Sequence, residues 1–146
     1  MLKKSLLLII ALIALFFSAC NSANIQKDEK VQKANVSLTN TYWKVISLYG
    51  EKVQISRKEA HIRFDKNSSV NGSLGCNNFF GSFKTDNENI TFGNIASTRM
   101  MCQDMKTEDK FSKVFQDIKI YKIKGETLNF FDDKNKKIST FKAVYF

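Results

Sequence analysis

The chain of 146 residues has no proline, one histidine, three cysteines, six glycines and one tryptophan. Each shortage excludes something. One His and three Cys argue against a multi-ligand zinc site, which takes four N or S ligands in its structural form. A single His also leaves no supporting network for His-dependent general-base or nucleophilic catalysis. Without proline, turns must rely on Gly, Asn, Asp and Lys. Gly72-x-x-Gly75 lacks the Lys and the strand–loop–helix setting of a phosphate-cradling loop. Long apolar runs are also scarce. The only one, Leu6 to Phe17, would span about 18 Å as a helix, short of the roughly 30 Å core of a bilayer.

What is present points to a folded domain. Apolar residues make up 43% of the chain and thirteen are Phe, which excludes a disordered chain. The net charge of +9 first suggests nucleic-acid binding. Its composition speaks against that partner. Residues 38–146 carry 18 Lys+Arg against 12 Asp+Glu, a net of +6, and only Arg57, Arg63 and Arg99 are arginines. Nucleic-acid readers favour arginine forks. Small lysine clusters at Lys119/Lys122/Lys124 and Lys134/Lys136/Lys137 suit a solubilising surface, or attraction to anionic headgroups or acidic envelope polymers.

The first nineteen residues read as an address. Lys3 and Lys4, the apolar run, and small residues Ser18 and Ala19 match a secretory signal peptide. Phe17-Ser18-Ala19-Cys20 resembles a bacterial lipobox, with Phe17 in place of the usual aliphatic residue. That resemblance implies cleavage before Cys20 and acylation of its thiol; two or three acyl chains anchor a protein stably. The alternative is ordinary cleavage after Ala19 with Cys20 a free thiol. Asn21 is not the Asp that resembles an inner-membrane retention signal, which favours the outer membrane. Residues 20–37 are polar, without aromatics or a clear period, and read as a flexible tether; a short helix through Gln26 to Ala34 is the alternative.

Residues 38–146 form the expected domain. Alternating patterns predict short strands over Tyr42 to Tyr49, Ala60 to Phe64, Val70 to Gly75, Asn78 to Lys84, Asn89 to Phe92, Tyr121 to Ile123, Thr127 to Phe131 and Lys136 to Phe146. From Thr107, a candidate cap, Phe111, Val114, Phe115 and Ile118 recur at helical spacing. That stripe is expected to plug a barrel or cover a sheet. The fold class is therefore α+β, mainly β: a small antiparallel barrel-like or sandwich domain with one amphipathic helix. The last four residues, Ala143 to Phe146, are similar to an outer-membrane barrel terminus, but the strands lack sustained lipid-facing alternation.

Two local patterns carry a resemblance. One is Gly72-Ser73-Leu74-Gly75-Cys76-Asn77-Asn78-Phe79-Phe80-Gly81. The other is Ser97-Thr98-Arg99-Met100-Met101-Cys102, followed by the helix bearing Glu108. With Trp43 near the domain start, these resemble the META domain family (HslJ-like proteins) over nearly all of residues 38–146. The resemblance implies a compact β-rich domain with one main helix, an envelope location often as a lipoprotein, links to heat stress and novobiocin tolerance, and no accepted enzymatic activity.

Beside the resemblance, the residues have their own readings. Gly72, Gly75 and Gly81 permit corners or bulges, and Asn77 tolerates left-handed backbone. This corner reads as a structural strand junction or as a ligand-contacting loop, with Phe79, Phe80 and Phe83 as core candidates. Cys76 and Cys102 are candidates for one disulfide in an oxidising compartment; the alternative is two buried thiols. Arg99 is expected to clamp carboxylates or carbonyls at the start of the helix, or else to recognise an anion. Met100 and Met101 are expected in the core, and His61 at the solvent or the rim. The functional expectation is a non-catalytic envelope protein, without cofactor, anchored to the membrane through lipidated Cys20 and serving an envelope protein or ligand. The rival classes are a small inhibitor or assembly accessory and an enzyme acting on an envelope substrate.

Overall fold

The computed structural model describes residues 35–55 and 57–146. The signal, Cys20 and most of the tether lie outside the described residues. The strands are β1 (Tyr42–Leu48), β2 (Glu51–Lys52), β3 (His61–Phe64), β4 (Ser69–Ser73), β5 (Asn78–Asp86), β6 (Asn89–Phe92), β7 (Ala96–Ser97), β8 (Ile120–Lys124), β9 (Thr127–Phe131) and β10 (Lys137–Val144). The helix α1 spans Lys106–Asp117.

Eight strands close an antiparallel barrel in the order β10-β9-β8-β6-β5-β4-β3-β1, with β1 pairing back onto β10. This decides between the barrel and the sandwich left open by the sequence. Short β2 and β7, not foreseen in the sequence, pair with β1 and β5. Period-2 alternation explains which residues face inward: Trp43, Val45 and Leu48 on β1, Ile62 and Phe64 on β3, and Leu128 and Phe130 on β9 are buried. Between Val45 and Ser47 the β1–β10 register shifts, so the burial phase slips by one residue there.

Turns without proline use left-handed backbone. Asn40, Tyr49, Gly50, Ser68, Asn87, Gly125 and Asn135 all have positive φ, and all but Tyr49 and Ser68 are Asn or Gly, the residues that adopt it most readily. Tyr49–Gly50 closes the tight turn between β1 and β2, where Leu48 pairs with Glu51.

Helix α1 lays its stripe into the barrel. Phe111 and Val114 are fully buried and Ile118 is nearly so. Phe111 meets Phe79 edge to face at 5.8 Å and Phe141 at a tilt at 5.9 Å, joining three elements into one core. Thr107 does not cap the helix. Met105 occupies that position without a side-chain bond, and Asp104 Oδ1 accepts Lys106 N instead (2.9 Å). At the other end Tyr49 Oη donates to Asp117 Oδ2 (2.8 Å).

The folded unit begins before residue 38. Asn35 Oδ1 accepts Gly125 N (2.7 Å) and Val36 N donates to Gly125 O (3.0 Å). Trp43 Nε1 donates to Leu38 O (2.9 Å). Residues 35–37, read from composition as tether, are thus tied to the barrel by bonds that no local pattern reveals.

Candidate functional site

The corner between β4 and β5 carries the first motif. Gly75 has φ +110°, and a Cβ there would also come within 3.3 Å of Thr107 Cγ2, so glycine is required. Cys76 and Asn77 follow, both buried. Cys76 and Cys102 lie at disulfide distance, with Cα atoms 6.1 Å apart.

Asn77 organises the whole region. Its Oδ1 accepts Thr98 Oγ1 and Met100 N, each at 2.7 Å. Its Nδ2 donates to Met100 O and Glu108 Oε1, each at 2.9 Å. Its backbone N donates to Glu108 Oε2 at 2.8 Å. Every hydrogen-bonding site of the amide is occupied. Thr98 Oγ1 in turn accepts Asn78 N (3.2 Å). Glu108 sits in the first turn of α1, where negative charge also suits the helix dipole.

The structure therefore brings Gly75, Cys76, Asn77, Thr98, the Met100 backbone, Cys102 and Glu108 into one network. Gly81 lies further along β5. Trp43 is apart from it, in the barrel core. Three expectations are corrected. Met100 is 38% and Met101 89% exposed, and Phe80 is 64% exposed, so none of them fills the core. Phe80 points outward because it alternates with buried Phe79 on β5. Met100 joins the network through its peptide groups, leaving its side chain outside. Arg99 makes no hydrogen bond or ion pair among the described residues and is exposed; it clamps nothing at the start of the helix.

His61 lies half-buried on the outer barrel face within a cluster that the sequence reading missed. Its ring stacks on Tyr42 at 4.3 Å, and its Nδ1 lies 3.1 Å from Glu59 O. Tyr42 Oη donates to Glu59 Oε1 (3.1 Å), and Lys44 pairs with Glu59. Burial pushes the His61 imidazole below its ordinary 6.5. Burial, then the bond to Glu59, raise Tyr42 to about 12. Burial alone would raise Glu59, but the bonds from Lys44 and Tyr42 outweigh it and hold the carboxyl low. The detectable signal was the outward phase of Tyr42 and Lys44 on β1; their pairing with Arg63 and His61 needed the register. Among the described residues no group of three His, Cys, Asp or Glu is placed to hold a metal ion.

The META domain profile matches residues 36–145. The chain belongs to the META domain family. The match starts where Val36 joins the β8–β9 turn, and it contains the whole Asn77–Glu108 network. Three solved structures are similar in fold. One NMR structure is 23% identical, covering 73% of this chain and 94% of its own, with TM-score 0.60. An NMR structure of a protein from Burkholderia xenovorans is 17% identical, covering 75% and 85%, with TM-score 0.61. A crystal structure of a DUF4847 family protein from Bacteroides vulgatus is 13% identical, covering 72% and 93%, with TM-score 0.54. No curated protein matches the chain.

Proposed function

We propose that this META domain is a non-catalytic binding or stabilising module of the bacterial cell envelope, anchored through an acylated Cys20 and serving under heat or drug stress. The observation that carries the non-catalytic part is the closed accounting of the motif. Glu108 and the Thr98–Met100 segment fill every site of the Asn77 amide, and both Glu108 oxygens bond Asn77, so these motif residues act as scaffold. The one histidine supports the same reading. Its neighbour Glu59 is held low, the opposite of a carboxyl raised to serve as a general acid. The anchor rests on the charged start, the short apolar run and the Cys after Phe17-Ser18-Ala19.

Labelling with a clickable fatty acid tests the anchor. Incorporation is expected in the parent chain and lost in Cys20→Ala; retained labelling would overturn it. The alternative, a small inhibitor or assembly accessory, is favoured by the exposed Ile55, Phe80 and Met101. A photo-crosslinking residue at Phe80 in the native envelope separates the two: one reproducible protein adduct supports the accessory.

A further inference from the structure

The barrel's weakest seam lies between β6 and β8, which share one paired position, Asn89 with Ile120. Past that point β6 and β7 continue along β5, interrupted at residues 93–95. Gly93 N donates to Ser82 O (2.8 Å) and holds this interruption against β5. Gly81 allows it to lie so close. A Cβ there would stand 2.5 Å from Ile95 Cδ1 and 2.7 Å from Asn94 O. Helix α1 crosses the opposite side, presenting Ser112, Phe115 and Gln116.

Between the two lies a cleft of about 500 Å³, within the usual range for small-molecule sites. Half-buried Phe92, Ile95 and Phe115 supply the apolar part of its lining, with the Phe92 and Phe115 rings edge to face at 4.9 Å. Exposed Asn94, Ser97 and Gln116 and half-buried Ser112 also line it. None of these four side chains makes a hydrogen bond among the described residues. No charged side chain lines the cleft. Motif residue Gly81 lets the 93–95 wall pack against β5, and the Asn77–Glu108 network fixes the helix that makes the other.

We propose that this cleft binds an uncharged small molecule with a flat apolar body and amide or hydroxyl groups along its edge. The aromatic lining takes the body, and the two amides and two hydroxyls take the edge. An ionised ligand is disfavoured because no charged side chain of the cleft would pair with it. The inference rests on the binding-module reading and gives that module its ligand class; it does not depend on acylation of Cys20.

The test is titration of the isotope-labelled full chain with N-acetylphenylalaninamide, followed by amide chemical shifts. The charged analogues N-acetylphenylalanine and phenylalaninamide serve as controls. Saturable shifts are expected at Ile95, Ser112 and Phe115 with the neutral probe, and affinity about tenfold weaker with either charged analogue. Ser112→Phe, which fills the cleft, is expected to abolish the shifts. Gln116→Ala, on an exposed helix position, is expected to weaken binding severalfold without loss of fold. Absence of saturable shifts, equal binding of the charged analogues, or shifts centred elsewhere would overturn the proposal. A protein adduct at Phe80 with no shifts here would reject the cleft and leave a protein-docking module standing.

Discussion

Glu108, in the first turn of α1, accepts hydrogen bonds from both the backbone amide and the side-chain amide of Asn77, at 2.8 and 2.9 Å. Thirty-one residues separate them along the chain. One carboxylate thus ties the helix to the β4–β5 corner, while Asn77 Oδ1 ties that corner to the segment before the helix.

Asn77→Ala strips partners from Glu108, Thr98 and the Met100 peptide at once. Stranding buried polar groups costs about 1–3 kcal/mol each where water cannot replace the partner. A loss of about 3 kcal/mol is expected, measured by urea unfolding. Glu108→Gln keeps its size but turns a donor toward Asn77, whose N and Nδ2 are also donors; a loss of about 1–2 kcal/mol is expected.

Reduction of Cys76–Cys102 opens a closure spanning 26 residues. The chain-entropy account assigns this about 3.5 kcal/mol. The reduced domain should unfold at lower denaturant but still cooperatively, because the Asn77 bonds hold the same two segments. Thiol titration of the oxidised, denatured chain carrying Cys20→Ala should find no free thiol.

Gly81→Ala forces its new methyl against Ile95 and the Asn94 carbonyl. A cost of about 1–3 kcal/mol is expected for this overpacking. The amide shifts that move should centre on residues 93–97. A change spread evenly over the barrel would contradict this account.

Ser139 Oγ is buried without a hydrogen-bond partner among the described residues. Ser139→Ala removes that cost, so stability should rise by up to about 1–2 kcal/mol. A loss of stability would show that the hydroxyl has a partner after all.

Acidification should act in two steps. His61 has a depressed pKa in the folded state, so the unfolded chain binds more protons and stability falls as pH drops below about 6.5. Glu59 is also depressed. Its contribution is present above the ordinary carboxyl range and is lost as pH falls through its folded value. At the alkaline end Tyr42 is raised to about 12, so its contribution is lost as pH climbs from 10 toward 12. His61→Phe keeps a ring against Tyr42 and should remove only the first step, read from urea midpoints between pH 7 and pH 5.

Most of the barrel was legible in short-range pattern. Alternation in Trp43, Val45, Ile62 and Phe64 places these residues on one face, and the Phe111–Val114–Ile118 stripe needs only helical periodicity. The helix start was not legible. Thr107 has a capping side chain, but the helix begins one residue earlier, at Lys106, with Met105 at the cap. Phe80, Met100 and Met101 were misplaced because apolar character argues for burial only on average. Phe80 has the wrong strand phase, and the Met100 peptide is claimed by Asn77.

Local pattern is enough for the β-rich class, the helix, the family motif and the turn chemistry that replaces proline. These follow from periodicities and residue conformations that act within a few positions. Tertiary structure alone decided the closure of β1 onto β10, the bonding partners of Asn77 and the cleft beside Gly81. Each depends on groups far apart in the chain meeting at hydrogen-bond or van der Waals distance. One-dimensional patterns do not encode such meetings; strand register and helix docking fix them.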